Sequence, residues 1–243
     1  MAHWPRIPDL FTTANLASGV TSILLASHGQ LTIACWLVFA GALFDVLDGL
    51  SARAFGGGSE FGKQLDSLAD VITFGTAPAM LIWYTYIHHM DAHPPLALPV
   101  AIVSIPIASA WRLAKFNIDT RQTMGFLGLP TPSNGLFWTS LVLVYLGNAG
   151  GMLSSPALLD MLTMPLRQPM IALLLAIVLG GLMLSEVPLP GLKFNHFRWH
   201  GNEVIIVLAA LGGALLLLFG IASIPMILVL YLLSPIWGGI FGR

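Results

Sequence analysis

FDVLDGLSARAFGGGSEFGKQLDSLADV, residues 44–71, places four aspartates in a chain that is otherwise very apolar. They are Asp45, Asp48, Asp66 and Asp70. The first two stand three residues apart and the last two stand four apart, so each pair shares one face of a helix. Residues 56–58 are all glycine, and Ser59 after them has N-cap character. We therefore predict two helices, joined by a tight loop, that turn two carboxylates each toward a common space.

Small residues accompany the aspartates on both predicted helices. Gly49 and Ala52 continue the face of the first pair, and Gly62 stands one turn before the second pair. These positions leave room for the backbone or the phosphates of a ligand. Arg53 and Lys63 are the nearby cations, and both suit a diphosphate.

Four carboxylates in one small site need a counter-charge, because like charges at close range repel. Carboxylate oxygens with no Cys or His nearby favour magnesium, manganese or calcium over zinc. The plainer interpretation is that these acids are surface charges at helix ends. Four aspartates within 26 residues, beside three small residues on the same faces, favour the metal site.

The two motifs carry a family resemblance. The order DxxDGxxAR at residues 45–53, followed by GxxxDxxxD at residues 62–70, resembles the signature of the CDP-alcohol phosphotransferases, with every position filled. Members of that family are integral membrane enzymes. They move a phosphoryl-linked group from a CDP-alcohol onto a second alcohol and release CMP, so the resemblance predicts this class of reaction.

The composition is that of a polytopic membrane protein. Of 243 residues, 56% are hydrophobic and 9% are charged, whereas soluble domains have about 25% charged residues. The net charge of −1 argues against a nucleic-acid partner, and the single cysteine, Cys35, excludes a disulfide framework. We predict one integral membrane domain over residues 1–243, with a catalytic core at 5–150 and additional transmembrane helices at 151–243.

The apolar segments predict an all-α bundle with about eight membrane spans, since a span needs about 20 mostly apolar residues. The candidate spans are residues 10–27, 31–52, 64–89, 96–117, 133–150, 169–186, 203–221 and 223–241. The last two form either a tight hairpin or one long broken helix. The prolines at 165–169 are expected to mark an ordinary turn.

The basic residues predict the orientation, because cytoplasmic loops are rich in Lys and Arg. With eight spans and both termini in the cytoplasm, nine of the ten basic residues are cytoplasmic. These nine are Arg6, Arg53, Lys63, Arg112, Lys115, Arg121, Lys193, Arg198 and Arg243. Only Arg167 then lies on the far side. The aspartates accordingly face the cytoplasm, in what we expect to be the cell (inner) membrane.

Two further stretches narrow the resemblance. RLAKFN at residues 112–117 and GFLGLPTP at 125–132 are similar to the phosphatidylserine synthase branch, in which a similar basic run precedes a G-L-P-T-P turn. Asn15 resembles a polar position of the same branch. Near the start, Asp9 stands where the family's Pro-Asn-x-x-Thr-like segment has Asn. This branch implies phospholipid biosynthesis, with the phosphatidyl group of CDP-diacylglycerol transferred to L-serine to give phosphatidylserine and CMP.

The resemblance also implies roles for individual residues. Two divalent ions, Mg²⁺ or Mn²⁺, would be held by the four aspartates, and Asp70 would also take the proton of the serine hydroxyl. The CDP-lipid is expected against Gly49, Ala52, Arg53, Ser59 and Gly62. The acceptor serine is expected against Asn15, Arg112 and Asn117. Family members are usually homodimers, which predicts a homodimer among membrane lipids here.

Two alternatives remain open at this point. One is a related phosphotransferase whose acceptor is glycerol 3-phosphate, inositol or inositol phosphate. A phosphorylated acceptor would need extra basic residues near the site, and this chain has few. The other alternative is a cation-coupled transporter that uses the acidic cluster as an ion site. Such transporters commonly show internal repeats and broken helices at mid-membrane, and no repeat is visible in this sequence.

Overall fold

The structure is a computed structural model that describes residues 6–55, 59–89, 93–119, 125–190 and 202–238. Its first half consists of long helices. They are α1 (Ile7–Ser27), α2 (Leu31–Ala54), α3 (Glu60–Asp70), a π-helical segment (Val71–Thr76), α4 (Ala77–His89) and α5 (Ala97–Ile118). The predicted glycine loop at 56–58 lies outside the described residues. Ser59 is the N-cap of α3, where its Oγ accepts a hydrogen bond from the Gly62 N–H at 2.9 Å.

The second half has shorter helices and one small ribbon. The elements are β1 (Gly125–Leu127), α6 (Thr131–Tyr145), α7 (Pro156–Arg167), α8 (Pro169–Leu184), β2 (Pro188–Pro190), α9 (Glu203–Phe219), α10 (Ser223–Leu232) and α11 (Ser234–Gly238). β1 and β2 pair antiparallel, with Phe126 opposite Leu189. The predicted helical class is confirmed, and this ribbon is the one addition to it within the described ranges.

Four helical stretches are long and apolar enough to cross a membrane by themselves. They are Ile7–Ser27, Leu31–Ala54, the continuous run Glu60–His89, and Ala97–Ile118. A fifth span is possible if α7 and α8, which are bent by 88° at their junction, are counted together. The chain is therefore an integral membrane protein, whereas the count of eight spans stays a prediction. The expected turn at 165–169 is wrong for Pro165, which lies inside α7, because the chain bends only at Gln168.

The last two apolar segments form a hairpin rather than one broken helix. Gly220 ends α9 with φ +57°, a conformation that glycine adopts without strain. The Ile221 N–H then donates to the Ala149 carbonyl at 2.9 Å, which ties the turn to the end of α6. Ile227 of α10 packs back onto Gly212 of α9, within 3.7 Å of the position that a Cβ would take.

The π-helical segment lies at the centre of the bundle. Three glycines let neighbouring helices approach it closely. A Cβ on Gly19 of α1 would lie 2.8 Å from the Thr73 Cα, and one on Gly41 of α2 would lie 2.6 Å from the Thr73 Cγ2. A Cβ on Gly135 of α6 would lie 2.7 Å from the Phe74 Cα. Because real Cβ contacts are never this short, these contacts require glycine and bring α1, α2 and α6 around the helix that carries Asp66 and Asp70.

An apolar core lies beyond this segment, between α4, α5, α6 and α8. Its largest fully buried side chains include Phe74, Leu81, Trp138, Leu141 and Met183. The outer faces of the long helices are also apolar, with exposed side chains such as Leu24, Trp36, Leu43, Val103 and Trp111. An exposed apolar surface of this extent is what a lipid-facing bundle requires.

Candidate functional site

Three of the four aspartates converge between α2 and α3. One carboxylate oxygen each from Asp45, Asp48 and Asp66 lies within 4.8 Å of the other two. The two helices bring them together because Asp45 and Asp48 share one face of α2 near its end, and Asp66 lies in the second turn of α3. The common space that the spacing predicts is therefore present for these three residues.

Asp70 lies outside that trio and is hydrogen-bonded to α1. It is the last residue of α3, and only 5% of its surface is exposed. The Asn15 Nδ2 of α1 donates to the Asp70 Oδ1 at 3.1 Å. The Thr73 hydroxyl, one turn later, donates to the Asn15 carbonyl at 2.9 Å, so α1 is bonded to this helix at two points. Asp70 thus has a fixed orientation at the start of the π-helical segment.

Asp48 has a partner that the sequence did not indicate. The Thr12 hydroxyl of α1 donates to the Asp48 Oδ2 at 2.8 Å, and both side chains are buried. Thr12 and Asp48 are separated by 36 residues, so no local periodicity reveals this contact. The first helix therefore orients both a residue of the trio and Asp70.

The donor set fits a divalent cation. The Asp66 Oδ1 is buried without a hydrogen-bond partner, which is costly unless a ligand binds it. Within the described part of the chain, none of the four aspartates forms an ion pair with Lys or Arg. Three carboxylates with uncompensated charge and oxygen-only ligands match the preference of Mg²⁺ and Mn²⁺.

A cavity of about 340 Å³ adjoins the trio. It is lined by Arg6, Pro8, Asp9, Thr12, Asp48, Gly49, Ala52, Ser59, Glu60, Gly62, Lys63 and Asp66. Gly49 faces open space, since a Cβ there would meet no atom within 4 Å. At Gly62 a Cβ would lie 3.0 Å from the Asp9 Oδ1, so glycine lets α1 approach α3. The small residues create room at Gly49 and close packing at Gly62.

Four of the five residues predicted for the CDP-lipid line this cavity. They are Gly49, Ala52, Ser59 and Gly62. Arg53, the fifth, is exposed near the end of α2 and is not among the lining residues. Positive charge at the cavity comes from Arg6 and Lys63 instead. The Lys63 Nζ also donates to the Asn117 carbonyl at 2.9 Å, which connects α3 to α5.

The three residues predicted for the acceptor all have partners within the protein. Asn15 binds Asp70, as described, and the Asn117 Nδ2 donates to the Ser67 Oγ at 2.9 Å. Arg112 is 4% exposed, and its guanidinium donates to the carbonyls of Leu127 and Gly128, the latter at 3.3 Å. Arg112 therefore anchors the segment before α6, and its contact with an acceptor stays a prediction.

Several residues at this site were given no role by the sequence analysis. Arg6 and Asp9 line the cavity, and the Asp9 Oδ2 accepts a hydrogen bond from the Arg6 N–H at 2.8 Å at the start of α1. The sequence did carry a signal for Asp9, because an acidic residue three positions after the N-cap is typical of helix N-termini. Thr73 carried no such signal, since it acts through Asn15, which is distant in the sequence, whereas Thr12 stands at the threonine of the family's Pro-Asn-x-x-Thr-like segment.

The fold and the site together describe a membrane bundle in which a carboxylate cluster that could hold a metal ion lies beside an open cavity. The chain belongs to the CDP-alcohol phosphatidyltransferase family, whose family model matches residues 6–184.

Individual relatives with named activities are similar to this chain over much of its length. A CDP-diacylglycerol–serine O-phosphatidyltransferase of Helicobacter pylori is 36% identical over 203 residues, which cover 83% of this chain and 78% of the relative. An enzyme of the same name from Bacillus subtilis is 28% identical over 197 residues, covering 81% of this chain and 94% of the relative. An archaetidylserine synthase of Methanothermobacter thermautotrophicus is 41% identical over 133 residues, covering 52% of this chain and 53% of the relative.

Proposed function

We propose that this protein is a CDP-diacylglycerol–serine O-phosphatidyltransferase, which transfers the phosphatidyl group of CDP-diacylglycerol to L-serine and releases CMP. The observation that carries the proposal is the carboxylate trio of Asp45, Asp48 and Asp66 beside a cavity of about 340 Å³. It occurs in a member of the CDP-alcohol phosphatidyltransferase family whose relatives of this name align over most of the chain.

The four aspartates are proposed to hold two divalent ions, Mg²⁺ or Mn²⁺. When bound, such ions neutralise the diphosphate and stabilise the CMP leaving group. Asp70 is proposed to accept the proton of the serine hydroxyl as its oxygen attacks the phosphorus. The hydrogen bond from Asn15 uses the Asp70 Oδ1, which leaves the Oδ2 for this role.

The cavity beside the trio is proposed to receive the CDP part of the lipid. Gly49 and Ala52 leave it room for the nucleotide, Gly62 lets α1 approach α3 at its edge, and Ser59 lies at its wall. Arg53 remains a proposed contact for the diphosphate. Arg6 and Lys63 join it, because both cations line the same cavity as Asp48 and Asp66. The acceptor serine is proposed to contact Asn15, Arg112 and Asn117.

The larger-scale arrangement is also proposed. Residues 1–243 form one membrane domain, with the catalytic core at 5–150 and further transmembrane helices at 151–243. Eight spans put both termini and the aspartates on the cytoplasmic side of the cell (inner) membrane, where CMP leaves into water while the lipid product stays in the bilayer. The working unit is proposed to be a homodimer.

The decisive experiment measures CMP release by the purified protein from CDP-diacylglycerol. L-serine, inositol and glycerol 3-phosphate are offered in parallel, and serine alone is expected to support turnover. A CDP-linked ether lipid is offered as a second donor, because one relative is named archaetidylserine synthase. Turnover with inositol or glycerol 3-phosphate and none with serine would replace the proposed acceptor.

The same assay tests the metal. Excess EDTA is expected to abolish CMP release, and added Mg²⁺ or Mn²⁺ is expected to restore it, because the trio supplies oxygen ligands only. Zn²⁺ serves as the comparison ion and should restore less. Full activity in excess EDTA would exclude the proposed metal site while leaving the fold unaffected.

A further inference from the structure

The first turns of α6 carry three buried polar side-chain atoms without hydrogen-bond partners among the described residues, and two of them, on Thr131 and Asn134, belong to its first turn. Thr131 and Asn134 are each 2% exposed. Neither the Thr131 Oγ1 nor the Asn134 Oδ1 has a hydrogen-bond partner in the part of the chain that the structure describes. Buried polar atoms are almost always paired, because leaving one unpaired costs more than a hydrogen bond contributes. Two such atoms one turn apart on one helix face therefore indicate a ligand.

The packing of α6 puts Thr131 at about the level of Asp70 and Asn134, next to Gly135, at about the level of Phe74. Gly135 packs directly on Phe74, one turn beyond Asp70, and the Tyr145 ring packs on the His89 ring with centroids 5.8 Å apart. Phe74 precedes His89 along the chain, and their partners Gly135 and Tyr145 follow in the same order. α6 therefore runs in the same direction as the helix that carries Asp70. Thr131 stands one turn before Gly135, and Asp70 stands one turn before Phe74. Because Gly135 packs on Phe74, Thr131 comes to about the level of Asp70.

The beginning of α6 is held firmly. Arg112 donates to the carbonyls of Leu127 and Gly128, and the Leu129 N–H donates to the Leu182 carbonyl at 3.0 Å. α6 then starts at Thr131 after Pro130, which has no side-chain group to cap it. The first turn of a helix presents N–H groups that the helix itself does not satisfy, together with the positive end of its dipole.

We propose that Thr131 and Asn134 form the subsite that selects an amino-acid acceptor, which rests on the serine-transferase function proposed above. The Asn134 Oδ1 accepts a hydrogen bond from the acceptor's ammonium group. The Thr131 hydroxyl donates to its carboxylate, which also faces the N-terminal end of α6. Both residues are specificity-determining and take no part in bond making. An inositol ring lacks both charged groups, and glycerol 3-phosphate lacks the ammonium, so this subsite favours serine over both.

The test uses Thr131→Val, which removes the hydroxyl at nearly constant shape, and Asn134→Leu, which removes the amide. Each variant is expected to raise the KM for L-serine about tenfold or more, since a hydrogen bond to a charged group is lost. The KM for CDP-diacylglycerol should change less than about twofold, because that lipid binds elsewhere. Thr139→Val is the matched control. Thr139 is buried on the same helix two turns further on, and its hydroxyl is satisfied by the Gly135 carbonyl at 2.8 Å.

A thermal-unfolding measurement separates binding from folding. Asn134→Leu replaces an unpaired buried polar atom by an apolar group, so its Tm without serine should equal or exceed that of the unmodified protein. A raised serine KM together with an undiminished Tm is therefore the expected pair of results. Should Asn134→Leu fold poorly, Thr131→Val and Asn134→Ala give the same comparison.

Three outcomes would overturn the subsite, and they are distinguishable. If the unmodified protein uses serine and both variants keep its serine KM, the subsite is wrong and the proposed function stands. If the unmodified protein releases no CMP with serine, the proposed function and this subsite both fail. Equal rises in the KM for serine and for CDP-diacylglycerol would also contradict the subsite, because they would reflect a general disturbance of α6.

Discussion

Asp70 differs from the other three aspartates in how it is held. Asp45, Asp48 and Asp66 face one another within 4.8 Å, whereas Asp70 is buried with one oxygen bonded to Asn15. We expect Asp70→Asn to lower CMP release by about 10²–10⁴-fold, the usual contribution of a general base. Binding of CDP-diacylglycerol should remain largely intact. Asp45→Asn should weaken binding and turnover together, because it removes one of the three converging carboxylates, whereas Asp70 lies outside that trio.

The measurements for this prediction are single-turnover CMP release and direct binding of CDP-diacylglycerol to the purified variants. Asp160→Asn is the matched control, because Asp160 lies on α7 in an exposed ion pair with Arg167 at 3.3 Å. It should behave like the unmodified protein. An Asp70→Asn variant with near-normal turnover would remove the base assignment.

Arg112 supports a second prediction at the residue scale. Its guanidinium donates to two backbone carbonyls before α6, and Lys can offer only a point charge in its place. Arg112→Lys should therefore raise the KM for serine far more than the KM for CDP-diacylglycerol, whether Arg112 touches serine or positions α6. Lys115→Arg, on the same helix, keeps its charge and is the control. An equal rise in the KM for serine and the KM for CDP-diacylglycerol would mean that Arg112 holds the diphosphate or the fold. An unchanged serine KM would mean that Arg112 is only a membrane anchor.

The sequence predicted the carboxylates better than their partners. The spacing of Asp45, Asp48 and Asp66 follows helix periodicity, and the structure brings these residues together as expected. Thr12 reaches Asp48 across 36 residues and Asn15 reaches Asp70 across 55. Periodicity carries no information on such contacts, because they depend on how whole helices pack. The prediction that Asn15 belongs to the site came from a family resemblance alone.

At the scale of elements, the π-helical segment fixes where α1 and α2 meet the helix of Asp70. No sequence pattern indicated a π-helix, because its hydrogen bonds differ from those of an α-helix by only one residue of register. The Thr76 hydroxyl bonds to the Val71 carbonyl five residues back, at 3.1 Å. Such segments are frequent at functional sites, and this one directly follows Asp70.

Gly41 provides the test at this scale. A Cβ there would lie 2.6 Å from the Thr73 Cγ2 and 3.0 Å from the Asn15 Oδ1. Gly41→Ala should therefore displace Asn15 from Asp70, lower turnover, and cost about 1–3 kcal/mol of stability through overpacking. Gly181→Ala on α8 is the matched control, because a Cβ there meets no atom within 4 Å. It should leave activity unchanged and stabilise the helix by up to about 1 kcal/mol. Similar losses in both variants, measured by CMP release and Tm, would contradict the close-packing argument.

At the scale of the whole molecule, hydropathy predicted the first four long helices well and the later ones less well. α6, α8 and α9 have 15, 16 and 17 residues, and α10 has 10, all shorter than a typical span. α7 was missed as a helix, since the prolines at 165–169 suggested a turn. Pro156 stands in its first turn, where proline fits, and Pro165 stands close to its end.

The topology can be tested by cysteine labelling. His89, Tyr145 and Arg167 lie together at one end of the bundle, with the Arg167 guanidinium 5.9 Å from the Tyr145 ring centroid. The aspartate trio lies near the ends of α2 and α3 that adjoin the loop at 56–58. Because nine of ten basic residues fall on the trio's side under the eight-span arrangement, that side is expected to be cytoplasmic.

The experiment replaces Cys35, which is buried, and adds one cysteine at a time. Gly57→Cys should react with a membrane-impermeant maleimide only after the cells are permeabilised. Met152→Cys, at a position 88% exposed between α6 and α7, should react in intact cells. Labelling of position 57 from outside, with position 152 protected, would reverse the orientation. Labelling of both from outside would mean that an odd number of the three predicted spans between them fails to cross, and would replace the eight-span arrangement.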